Sequence, residues 1–200
     1  MGTFLKYFLI FYYILFFTAA MILPTYRIWK TTGVNPYKLG TSDSVHDYIG
    51  KNFRITMLAC ALVVIVFAFL PNSYQFLLPI SYLTNSIFAV IGQILLSFAL
   101  VWVLIAQSHM QRSWRIGIDE DVKTELIQRG LFKISRNPIF LGMHVMLLGL
   151  FLILPNAVMF VILVAGEILI QIQVRLEEDF LARIHGNSYL VYKKQVRRWI

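Results

Sequence analysis

The sequence predicts an all-α integral membrane protein with five transmembrane helices, its N-terminus outside and its C-terminus cytoplasmic. Three observations carry this. Apolar residues make up 58% of the 200 residues and charged ones only 14%, against about 25% charged in an average soluble domain. Mean hydropathy is +0.70. The basic residues fall between alternate apolar runs, as orientation signals do. A chain of this length allows one domain, 1–200, in which 1–108 holds the first three spans and 109–200 a loop, a helical hairpin and a C-terminal helix.

The apolar runs lie at 4–23, 55–70, 84–107, 139–154 and 157–174. Crossing a hydrocarbon core takes about 20 residues in a helix, so the second and fourth runs have to continue into interfacial residues. The first run is long and lacks an A-x-A-like site before Pro24, which predicts a retained span rather than a cleaved signal. Its flank carries Lys6 alone. The 24–54 loop carries Arg27, Lys30, Lys38, Lys51 and Arg54, and the 71–83 loop carries none. The 109–137 loop holds Arg112, Arg115, Lys123, Arg129, Lys133 and Arg136, and the Pro155–Asn156 turn none. The tail holds Arg175, Arg183, Lys193, Lys194, Arg197 and Arg198. This alternation sets the predicted orientation; the expected location is the cytoplasmic (inner) membrane of a prokaryote. The 24–54 loop, with Gly33, Pro36 and Gly40, has turn composition and room for a short interfacial helix.

The net charge of +8 does not point to nucleic acid, since no basic helix face or finger motif accompanies it. Lys and Arg between spans meet anionic lipid headgroups instead, so membrane lipids are the expected partners. Cys60 excludes an internal disulfide and reads as a small buried residue. His46, His109, His144 and His185 show no metal-ligand spacing, and no metal is expected.

Pro155–Asn156 leaves room only for a tight hairpin between the last two runs. In an ideal antiparallel pair with a rise near 1.5 Å per residue, facing residues have numbers that sum to about 311. Arg136 then lies level with Arg175, Pro138 with Gln173, and Ile134 with Glu177, so "SRNP" and "RLEE" meet at one depth. Gly142, Gly149 and Gly166 would let the two helices approach closely. The same ruler pairs His144 with Glu167 deep in the membrane, where ionisable groups are paired or functional. The pair reads either as a hydrogen-bonded fastener or as part of a substrate cavity. Glu167, Gln171, Arg175 and Glu178 recur at helical spacing, a polar stripe that has to face protein or water rather than lipid.

The stretches "GLFKISRNPIFLG" (130–142) and "RLEEDFLARIHGNSYLVYKKQV" (175–196), separated by the hairpin, resemble the isoprenylcysteine carboxyl methyltransferase family of membrane enzymes. That family's pattern runs Gly-x-Tyr, Arg-His-Pro-x-Tyr-x-Gly, Glu-Glu, then Gly-x-x-Tyr-x-x-Tyr. The likeness covers about 112–196. It implies S-adenosylmethionine bound by the C-terminal half in a cytoplasmic-side pocket, with a lipophilic or lipidated acceptor arriving through the membrane. Carried over by position, the cofactor would touch Thr124, Glu125, Leu126, Ile127, Phe132, Asn137, Pro138, Ile139, Phe140 and Glu177. The chemistry of the residues is compatible. Glu177 or Glu178 can accept from an ammonium or ribose hydroxyls, Arg136 can meet a carboxylate, and Phe132 and Phe140 offer aromatic faces to a sulfonium or adenine.

Four positions depart from the pattern. Asn137 stands for the family histidine, Phe140 and Phe132 for its tyrosines, and Gln173 for the arginine that precedes its glutamate by four residues and would meet an acceptor carboxylate. The expected reaction is methyl transfer to a carboxylate, amine or hydroxyl, with Arg136, Arg175, Gln173, Glu167 and His144 as candidate catalytic residues. Two other readings stay open: an NADPH-dependent membrane reductase of related fold, and a non-enzymatic membrane scaffold or binder. Glu177–Glu178 could form an ordinary ion network, Asn137–Pro138 a helix start and Gly186 a helix cap before a basic amphipathic helix on the membrane.

Overall fold

The computed structural model describes residues 2–33, 44–110 and 125–200, and these form helices and turns with no strand among them. In chain order the helices are α1 (Gly2–Phe16), α2 (Leu23–Thr32), α3 (Val45–Phe69), α4 (Ser86–Met110), α5 (Pro138–Ile153), α6 (Ala157–His185) and α7 (Asn187–Gln195). A π-helical segment, Phe17–Ile22, joins α1 to α2, so the first apolar run does not stop at Pro24 but continues as one helix over Gly2–Thr31. Pro24 lies in the first turn after the π segment, where its missing N–H costs least.

Four helices are long and apolar enough to cross a membrane: Gly2–Thr31, Val45–Phe69, Ser86–Met110 and Ala157–His185. The fifth expected span, α5, has only 16 residues, about 24 Å at 1.5 Å per residue. α3 begins ten residues before the apolar run at 55. Its polar first turns are fixed by Ser44, whose side chain accepts from the Asp47 N–H at 3.2 Å, an N-cap the apolar pattern does not reveal.

The turn at 155–156 is as tight as expected, and its chemistry is clear. Asn156 caps α6 by accepting from the Met159 N–H at 2.8 Å, while its amide donates to the Leu154 carbonyl and the Tyr74 hydroxyl. The 3-10 turns of the 71–83 loop close over it, with Ile80 N–H donating to the Pro155 carbonyl and Ala157 N–H to the Leu78 carbonyl. The 71–83 loop and the 155–156 turn carry no basic residue, and Lys6 stands nearby with its ammonium over the Phe69 ring.

Packing departs from expectation at the glycines. Gly142 and Gly149 face α4 rather than α6: a Cβ at Gly142 would lie 2.5 Å from Val103 Cγ2, and one at Gly92 only 2.7 Å from the Gly149 carbonyl oxygen. Only Gly166 faces the hairpin partner, at Leu147. The small residues therefore seal α4 to α5, and α6 packs against both α3 and α5. Leu9, Leu96, Ala99, Leu150, Ile170 and Val174 fill the shared core. Phe11, Leu58, Leu62, Ile94 and Val161 point outward, an apolar surface suited to lipid.

Candidate functional site

The loop that enters α5 is built from three local devices. Gly130, at φ +58, starts a 3-10 turn over Gly130–Lys133 against the His109 ring. Ser135 Oγ then accepts from the Asn137 N–H at 3.1 Å, which turns the chain into Pro138, the first residue of α5. Trp102 of α4 holds that helix start, its indole N–H donating to the Pro138 carbonyl at 2.8 Å. No side chain caps the N-terminus of α5.

The C-terminal tail straps this loop to α6 through Glu178, whose side chain is 2% exposed. Arg136 Nη2 and Arg198 Nε donate to its Oε1 at 2.9 and 3.0 Å, Arg198 Nη2 donates to Oε2 at 2.9 Å, and Lys193 Nζ lies 3.6 Å away. Arg136 Nε and Asn137 Nδ2 also donate to Oε1, at 3.3 and 3.2 Å. Backbone bonds complete the latch: the Arg136 N–H donates to the Arg197 carbonyl, and Ser135 Oγ to that of Arg198. The Glu178 hydrogen bonds raise the Arg198 pKa above its ordinary value, which keeps that guanidinium charged.

α7 packs inward on Tyr189 and Tyr192, while its Leu190 and Val191 stay exposed. Gly186, at φ +54, caps α6 and redirects the chain. Tyr192 donates to the Phe132 carbonyl at 2.6 Å. Burial pushes its phenol up to about 12, so it serves there as a neutral donor.

Behind the latch, a cavity of about 230 Å³ opens between the end of α1 and its π-helical extension, α3, α4 and the α5–α6 hairpin. Eight residues singled out from the sequence line it: Phe132, Arg136, Asn137, Pro138, Ile139, Phe140, Gln173 and Glu177. Gln173 Nε2 donates to Glu177 Oε1 at 3.1 Å, orienting the carboxylate. Phe16, Phe53, Met57 and Met143 form an apolar side, and the same four residues line an adjoining apolar pocket of about 20 Å³ that reaches Cys60 and Gly166.

The other candidates lie elsewhere. Glu178 is consumed by the latch and does not line the cavity. Arg175 is exposed and bonds Gln171; "SRNP" and "RLEE" do meet, through Arg136 and Glu178, one turn beyond the expected Arg175. The helical ruler ends at Pro138, and Arg136 belongs to the turn before it. His144 does meet Glu167 as the ruler predicts, with Trp199 packed edge-on against the imidazole at 4.7 Å between centroids. The pair joins Gln171 and Arg175 on a half-exposed face away from the cavity, so the expected polar stripe is two stripes. Glu125, Leu126 and Ile127 do not line the cavity, and Thr124 lies outside the described residues.

Two polar lining residues escaped the sequence reading, Arg54 of α3 and Gln107 of α4. Gln107 donates to the Ala20 carbonyl at 2.7 Å, inside the π segment whose altered register frees backbone groups. A glutamine in the last turn of an apolar run was a readable sign of that partner. In the sequence Arg54 reads as one more orientation charge, and only the packing of α3 on α6 brings it to the cavity that Glu177 also lines.

A family model described as phospholipid methyltransferase matches residues 86–188, just over half of the chain. The match takes in α4, the α5 entry, the hairpin and the start of α7. Comparison with the curated proteins finds no match.

Proposed function

Since the chain belongs to the phospholipid methyltransferase family, within the isoprenylcysteine carboxyl methyltransferase-like membrane enzymes, we propose that it transfers a methyl group from S-adenosylmethionine to a phospholipid acceptor in the cavity behind Glu178. It is an integral membrane methyltransferase, and the observation that carries the finer reading is the cavity itself. One buried wall presents Glu177, Gln173, Asn137 and the uncapped start of α5; the opposite wall is apolar and continues toward the membrane interior. With α5 as a short fifth span, the basic ends of the helices and the cavity face the cytoplasm, a placement supported by the alternation of Lys and Arg.

The donor set fits the cofactor. Glu177 would meet its ammonium or ribose hydroxyls, and the α5 N-terminus its carboxylate, where backbone N–H groups and the helix dipole favour an anion. Phe132 and Phe140 offer ring faces to a cation or a base. When bound, S-adenosylmethionine supplies an electrophilic methyl group whose departure leaves a neutral thioether. The chain's own contribution is alignment and exclusion of water. Gln173 fixes the Glu177 carboxylate, Trp102 fixes the α5 entry, and the latch keeps Arg136 and Asn137 in place at the cavity wall. His144 and Glu167 do not line the cavity, so neither is assigned a proton-transfer role.

The test is incubation of the purified protein with methyl-labelled S-adenosylmethionine and total phospholipid in mixed micelles. Label in the lipid fraction, lost in Glu177→Gln, is the expected result. No labelled lipid from a folded sample, together with stabilisation by NADPH, would contradict the reading.

A further inference from the structure

The cavity carries an arginine for which the latch has no use. Arg136, the other guanidinium on the wall, is fully engaged by Glu178 and by the Lys193 and Val196 carbonyls. Arg54 makes no hydrogen bond or ion pair among the described residues. It sits in the tenth position of a membrane-length helix, lining the cavity and partly exposed at its edge. An unpaired guanidinium at the border of the hydrocarbon is costly, and that cost falls when an anion arrives.

Its position has a counterpart. At 173, where the resembling family carries an arginine, α6 carries a glutamine, and that glutamine is committed to Glu177. α3 packs against α6, so Arg54 returns a cation to the same cavity from the α3 wall. That wall belongs to the apolar side, next to Phe53 and Met57, where the tail of a lipid would lie and its headgroup would meet the membrane surface. It is also outside the segment matched to the family, which begins at 86.

We propose that Arg54 binds the phosphate oxyanion of the phospholipid acceptor and so sets headgroup selectivity, an assignment that rests on the methyltransferase reading above. Arg suits the task because its planar fork meets two phosphate oxygens at once. Bound there, the headgroup is anchored on α3 while its nucleophile reaches toward the Glu177 wall. Arg54 positions the acceptor and takes no part in bond making.

The experiment compares two acceptors in detergent micelles: a phospholipid with a primary-amine headgroup, and a long-chain primary amine without phosphate. Arg54→Ala should raise KM for the phospholipid by about tenfold or more, the effect of losing a charge-assisted hydrogen bond, and leave kcat within about twofold. KM for the phosphate-free amine should not change, and Arg54→Lys should recover part of the loss. Thermal unfolding with S-adenosylhomocysteine should give the same shift in wild type and Arg54→Ala. Equal losses on both acceptors, or none, would overturn the assignment. A vanished S-adenosylhomocysteine shift would overturn it too, by giving Arg54 to the cofactor carboxylate. Should the wild type neither methylate the phospholipid nor be stabilised by it, the Arg54 assignment fails, and a retained S-adenosylhomocysteine shift would then show that the methyltransferase reading survives.

Discussion

Glu177 and Glu178 share a peptide bond, yet α6 turns the first into the cavity beside Gln173 and the second into a cluster of Arg136, Arg198 and Lys193. The 100° step of the helix separates the two jobs. Glu178 is satisfied from within the chain, with at least two donors on Oε1 and one on Oε2, and has little capacity left for a ligand. Glu177 has one side-chain partner and faces open volume. A carboxylate pair that reads as one motif thus divides into a fastener and a cavity-lining group, and the fastener holds the loop that forms part of the cavity wall.

Substitutions in the fastener should lower stability in graded steps. Glu178→Ala leaves Arg136 and Arg198 facing each other without a counter-ion, and its expected cost is about 3–5 kcal/mol in detergent unfolding. Arg198→Ala removes two charge-assisted bonds but leaves Glu178 paired with Arg136, for an expected loss of about 1.5–3 kcal/mol by the same measurement. Tyr192→Phe deletes only the donor to the Phe132 carbonyl and should cost about 1 kcal/mol. Folded samples of the last two variants should retain most of the ligand-induced shift. If Glu178→Ala unfolds like wild type but fails to bind ligand, the division of labour between the two glutamates is reversed.

Much of the frame was legible. Apolar runs located the long helices, and Pro155–Asn156 fixed a hairpin whose ruler paired His144 with Glu167. That ruler also brought "SRNP" to "RLEE", through Arg136 and Glu178, but one turn off the expected Arg175, because Arg136 precedes Pro138 and the Ser135–Asn137 turn folds it back under the tail. The extra turns of α3 were hidden because an apolar pattern reports the hydrocarbon-facing length, whereas the Ser44 cap works in polar sequence. Along the site, eight residues came together as expected because local motifs carry them. Arg54 and Gln107 did not stand out, since their place depends on which helix packs on which, information no single stretch contains. The glycines show the same limit. Their close packing was predictable, but their partner turned out to be α4.

We propose that Glu177, not Glu178, is the carboxylate that serves the cofactor. Thermal unfolding of wild type and Glu177→Gln, with and without S-adenosylhomocysteine, tests it most directly. At 100 times its dissociation constant the ligand should stabilise wild type by about 2.7 kcal/mol, while Glu177→Gln should unfold near the wild-type temperature without ligand and show little or no shift with it. An undiminished shift in Glu177→Gln would contradict the account and move the cofactor away from this cavity.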